Sequence, residues 1–158
     1  MAQNITDTCF VDWNERETVA EAMIPMIGRL YRKNNVVTSV YGRAIINQSV
    51  IGLLKSHRFV RQVEDNELSV HDTYKVLQIL DELELGHAHV DIGKLAVKFQ
   101  KQSSDLTLEA FLREELADIV GKYNAEDAKQ HVSKTKDVVL YGFGRIGRLL
   151  ARIMIEKA

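Results

Sequence analysis

In 158 residues the chain has one cysteine, one proline and one tryptophan. With Cys9 alone, no intrachain disulfide can form and no cysteine-based zinc site can be assembled. No apolar stretch approaches the roughly 20 residues that span a bilayer. The opening segment, Met1 to Thr8, lacks the charged and apolar regions of a secretory signal. Charge of one sign is also missing: 21 Lys and Arg stand against 22 Asp and Glu, a net charge of −1. No overall field then favours nucleic acid or an anionic membrane surface. A soluble cytoplasmic protein is expected, with neither membrane nor nucleic acid as partner.

What is present is globular in character, with 46% hydrophobic and 27% charged residues. The length suffices for one ordinary domain with a real core. Residues 1–125 hold 14 basic and 18 acidic side chains, and residues 126–158 hold 7 and 4. The slightly basic end suits a segment that meets phosphates.

From Asn14 the pattern is helical, with Val19, Met23, Met26 or Ile27, and Leu30 spaced for one buried stripe. Asp12 or Asn14 is placed to cap it, and Glu15 and Glu17 sit where the helix dipole favours acids. Pro25 lies inside this pattern and is expected to kink or break it, because it lacks a donor and crowds the preceding turn. Asn34-Asn35 reads as a turn. A second helix is expected from about Ser39 to Gln62, with Tyr41, Ile45, Ile51, Leu54 and Phe59 as apolar candidates. An acidic loop, 64–67, follows. Ser69 with Asp72 resembles a cap for a third helix to about Leu85, burying Tyr74, Leu77, Leu80 and Leu83. Gly86 ends that helix, and Asp91 caps a short fourth helix to Gln102. A fifth helix is expected from about Thr107 to Gly121. Residues 122–136 lose the apolar stripe and read as a linker, which places a domain boundary near residue 130.

The segment that follows is the most informative. Val138 to Tyr141 form a near-continuous apolar run, as in a strand buried on both faces. Gly142-Phe143-Gly144-Arg145-Ile146-Gly147 comes next, and then an amphipathic pattern through Leu149, Leu150, Ile153 and Met154. Strand, Gly-x-Gly-x-x-Gly and helix open a dinucleotide-binding fold. Gly142 makes the tight turn, Gly144 lets backbone approach a pyrophosphate, and Gly147 allows close helix–strand packing. The helix N-terminus turns free N–H groups toward the phosphates.

The string Gly-Phe-Gly-Arg-Ile-Gly-Arg at residues 142–148 closely resembles the opening signature of glyceraldehyde-3-phosphate dehydrogenases. Tyr141 stands where that family usually has Asn, and about 135 residues precede a strand that normally comes first. The whole resembles the long form found in some bacteria, with a helical extension ahead of the dehydrogenase. The resemblance implies NAD-dependent, phosphorylating oxidation of an aldehyde phosphate through a cysteine thiolate and a histidine base, in an enzyme that is a homo-oligomer. It implies cofactor-binding roles for Gly142, Phe143, Gly144, Arg145, Ile146 and Gly147, with Arg145 and Ile146 presenting backbone amides. Arg148 reads as a solvated or interface charge rather than a ligand. Cys9 does not match the family's catalytic cysteine, so no catalytic residue is expected in this chain, which alone should be inactive. The acid that reads the adenosine ribose lies roughly 20 residues past such a loop, beyond Ala158, so NADP is not excluded.

The expected fold is therefore mainly α: residues 1–130 form an all-helical extension, and 131–158 a truncated first βα unit of a Rossmann fold. With no cofactor motif, the extension on its own also reads as an interaction or regulatory module. His87, His89 and Asp91 offer metal-type ligands, but a helix-ending loop and an Asp cap account for them, and no metal site is expected. The basic run from Lys55 to Arg61 is partly cancelled by the acids at 64–67. Asp81-Glu82-Glu84 and Glu114-Glu115 read as solvated helix faces.

Overall fold

The computed structural model describes residues 2–64, 67–102, 106–122 and 139–157. Helix α1 (Ala2–Asn34) is 33 residues long, about 50 Å at the α-helical rise. Its buried stripe is Ala20, Met23, Ile27 and Leu30, at steps of three, four and three. The helix starts twelve residues before Asn14, so Asp12 and Asn14 are interior positions, not caps. Among the residues of its first half whose burial is described, Phe10, Val11 and Trp13 are exposed. Nor does Pro25 split α1 in two. The ring removes one hydrogen bond, but Met23 and Ile27 on either side of it are buried in the core, and tertiary packing sustains most helices. Asn35, at φ +51, ends the helix in the left-handed conformation that asparagine tolerates.

The helix expected over Ser39–Gln62 is replaced by three elements. Strand β1 (Val36–Val40) turns through Tyr41-Gly42 into β2 (Arg43–Ala44), with Val40 paired to Arg43. Both turn residues have positive φ, +48 and +77, as a two-residue type I′ hairpin requires. Val36, Val37, Thr38 and Val40 are β-branched and favour the pleat over the helix. Only α2 (Val50–Phe59) is helical, capped by the Ser49 hydroxyl accepting from the Gly52 amide at 3.1 Å. A 3₁₀ turn over Val60–Gln62 extends it.

Helix α3 (Val70–Glu82) carries the expected Ser69 cap and ends three residues before Leu85. Strand β3 (Ala88–Asp91) then lies parallel to β1, from Val36 opposite Ala88 to Ser39 opposite Asp91. The sheet order is β2-β1-β3, so the extension is helical around a small sheet and not all-helical. Helix α4 (Ile92–Lys101) starts at the Asp91 cap, and α5 (Leu108–Glu115) at the Thr107 cap. Beyond α5 the chain turns, and Leu85 bridges Val120. Gly121, at φ +72, closes this stretch, six residues after the helix itself has ended.

The core joins α1 to β1 and then to Leu53, Val76, Leu77, Leu80, Ile92, Phe111 and Leu112, all nearly inaccessible. Phe99 packs on Phe111 with ring centroids 5.4 Å apart. Most of the expected linker and Val138 lie outside the described residues. Helix α6 (Arg145–Lys157) is the last element. The molecule is thus mainly α, and among the described residues no helix is long and apolar enough to cross a membrane.

Candidate functional site

Residues 139–144 form an irregular segment leading into α6. The strand expected over Val138–Tyr141 is not formed at 139–141, where Val139 is 89% exposed and the Tyr141 side chain is open to solvent. A strand exists through its ladder of hydrogen bonds, and no described segment pairs with this one.

The three glycines differ in their surroundings. Gly142 has φ +97, the region that only glycine enters without strain. A Cβ on Gly144 would meet nothing within 4 Å, so open space lies beside its backbone. A Cβ on Gly147 would collide with the Gly142 carbonyl oxygen, so the loop folds back tightly on the first helical turn. That turn is closed by the Arg148 amide donating to the Gly144 carbonyl at 3.1 Å. Gly144 is thereby the cap, and the amides of Arg145, Ile146 and Gly147 are the orphan donors of a helix start. Phe143, Arg145 and Ile146 are exposed, and Gly147 is half-buried. All six loop residues lie together at one helix N-terminus, and Gly147 packs against the Gly142 carbonyl rather than against a strand.

The remaining candidates have structural duties. The Asp91 carboxylate accepts from three backbone amides, those of Tyr41 (3.0 Å), Gly42 (2.7 Å) and Lys94 (3.0 Å). It thus clamps the β1–β2 turn to the start of α4, and it has no oxygen reserved for a metal. His87 places Nδ1 3.0 Å from the Asn35 carbonyl. Within the basic run, Lys55 and Arg58 are exposed, while His57 is buried at 4% exposure. His57 places Nδ1 2.9 Å from the Leu53 carbonyl and Nε2 2.7 Å from the Thr73 hydroxyl, which itself donates to the Val70 carbonyl at 3.0 Å. Burial holds its pKa below the usual histidine value. The Tyr41 hydroxyl donates to Glu64 at 2.8 Å, and Lys101 donates to the same carboxylate at 2.8 Å. Burial and that carboxylate raise the phenol pKa, while Lys101 and Tyr41 lower that of Glu64. Cys9 is exposed on α1.

The sequence reading missed the hollow that α1 makes with α2, which brings Trp13 beside Lys55 and Arg58. Nothing in the local pattern of either helix announces that meeting.

No protein-family model matches the chain. It is 55% identical over 137 residues to a glyceraldehyde-3-phosphate dehydrogenase-like protein of Pseudomonas aeruginosa (strain UCBPP-PA14). The match covers 85% of this chain and 29% of that relative. The chain is thus related, over most of its length, to under a third of a dehydrogenase-like polypeptide.

Proposed function

We propose that this chain is the N-terminal portion of an NAD-dependent glyceraldehyde-3-phosphate dehydrogenase of the long bacterial type. The observation that carries the reading is the graded environment of Gly142, Gly144 and Gly147 at the start of α6. The 55% identical relative supports it. The loop fits the group it would hold: the space beside Gly144 is open, and the amides of Arg145, Ile146 and Gly147 suit a pyrophosphate. Nicotinamide, when bound, supplies the hydride acceptor for oxidation of an aldehyde phosphate. The loop residues bind and orient; no described side chain is placed to act as nucleophile or base beside them. The complete enzyme would be a homo-oligomer, use NAD with NADP as the alternative, and work in the cytoplasm.

Gly144→Val in the complete enzyme tests this directly. The substitution fits the fold because nothing lies in its way, but it fills the space a pyrophosphate would need. The KM for NAD should rise by about tenfold or more, with an unchanged unfolding midpoint. An unaltered KM would refute the assignment. This chain alone should bind NAD very weakly and catalyse nothing, and a sub-micromolar affinity would overturn that.

A second role is supported for residues 1–130. Their core closes around α1 to α5 without any residue of the loop or α6, which suits an interaction or regulatory module. Deleting 1–130 from the complete enzyme should then alter assembly or regulation while leaving the chemical step intact. Unchanged assembly and regulation would count against this role.

A further inference from the structure

A cleft of about 670 Å³ opens between α1, α2 and the segment that leads into α3. Trp13, Ile51, Leu54 and Leu68 give it an apolar wall, and Arg16, Lys55, Arg58 and Arg61 line it with cations. Helical spacing explains how both come to one place. Ile51, Leu54, Lys55 and Arg58 stand at i, i+3, i+4 and i+7 on α2, a single stripe that is apolar at its start and cationic at its end. Trp13 and Arg16 repeat that order at i and i+3 on α1.

The charges in the cleft do not balance. Glu67 is its one carboxylate, and it pairs with Arg16 at 3.3 Å and with Arg61. Lys55 and Arg58 have no carboxylate partner among the described residues. A smaller hollow of about 400 Å³ shares Lys55, Arg58 and Arg61 with the cleft. There the Arg43 guanidinium stacks 3.4 Å above the Phe59 ring, adding a fifth cation. Beside these charges, Trp13 and Ile51 are left 45% and 43% exposed. Large apolar side chains held in water next to unneutralised cations describe a surface suited to a ligand with an anionic head and an apolar body.

We propose that this cleft binds an organic phosphate. Its phosphate monoester would lie between Lys55 and Arg58, and its flat or hydrocarbon body against Trp13, Ile51 and Leu54. Guanidinium and ammonium together match a dianionic phosphate, and the volume is that of a small-molecule site. A nucleic-acid strand fits less well. It needs cations repeated along many phosphates, whereas in this cluster Glu67 already pairs with Arg16 and Arg61, on a chain of net charge −1. No residue of the glycine loop takes part, so the site stands or falls independently of the dehydrogenase reading.

Trp13 is the chain's only tryptophan, so its fluorescence in the 158-residue chain reports the cleft directly. The probes are adenosine monophosphate, hexyl phosphate and inorganic phosphate. At least one organic phosphate should change Trp13 emission with an affinity about tenfold or more above that of inorganic phosphate. The winner identifies the body as aromatic or aliphatic. Substituting both exposed cations, Lys55→Ala with Arg58→Ala, should weaken it by at least about tenfold. In calorimetry, Trp13→Ala should weaken the organic ligand and leave inorganic phosphate unaffected. The proposal is overturned if neither organic phosphate outcompetes inorganic phosphate, or if the doubly substituted chain binds as tightly as the original. Tighter binding of a single-stranded oligonucleotide, falling steeply with salt, would also overturn it and mark a nucleic-acid surface.

Discussion

Two side chains show how single residues hold the fold in place. Asp91 begins as a helix cap but also accepts from both amides of the Tyr41-Gly42 turn. Three charge-assisted bonds from one carboxylate fasten the hairpin to α4. Asp91→Ala should cost about 3 kcal/mol, the worth of a cap plus two further bonds to a charged acceptor. Denaturant unfolding measures this, and a loss within the noise of a surface substitution would show the clamp to be idle. His57 is a buried neutral ring whose folded pKa lies below its unfolded value of 6.5. Below 6.5 the unfolded chain takes up a proton that the folded chain refuses. His57 therefore destabilises the fold as pH falls through 6.5, and the effect levels off below the folded pKa. Unfolding midpoints followed from about pH 7.5 to about pH 5 should fall, and His57→Gln should flatten the decline. An equal slope in that variant would place the proton uptake elsewhere.

At the scale of elements, burial and pairing outweighed local propensity. Pro25 marks a break by its own chemistry, yet α1 runs through it because Met23 and Ile27 anchor both sides. The missing donor is still a cost, since a helix-interior proline is disfavoured by about 3 kcal/mol. Pro25 is exposed, so Pro25→Ala should stabilise the protein by about 1–3 kcal/mol, raising the urea midpoint without altering the slope. A destabilised variant would mean that proline fixes a helix path the core requires. Residues 36–44 offer the opposite lesson. Four β-branched residues followed by Tyr-Gly is a legible hairpin signal, but apolar candidates at Tyr41 and Ile45 also suit a helix. A short apolar run does not settle its own period. Parallel pairing of β1 with β3 joins residues about 50 positions apart, beyond the reach of any local window.

At the scale of the whole molecule, the buried hydrophobic residues among those described run from Ala20 to Leu112, with none in α6. A chain ending at Lys122 should therefore unfold with the same midpoint and slope as the 158-residue chain. A large loss of stability would show that the later residues support the core. Helix α6 presents Ile146, Leu149, Leu150 and Ile153 to solvent on one face, and Ile155 on the opposite side.

What the sequence determined by itself is the chemistry of short segments. The caps at Ser69 and Asp91, the left-handed helix end at Asn35 and the left-handed turn at Gly142 depend on atoms a few residues apart. A left-handed φ or an orphan amide imposes the same demand in any fold. Tertiary structure alone decided which apolar residues became core, which became strand, and where cations met an aromatic wall. Leu53 is buried while Ile51 is not, Val36 pairs with Ala88, and Trp13 of α1 reaches the cleft of Lys55 and Arg58. Each of those outcomes depends on a partner distant in sequence, whose contribution to the free energy appears only once the chain has folded.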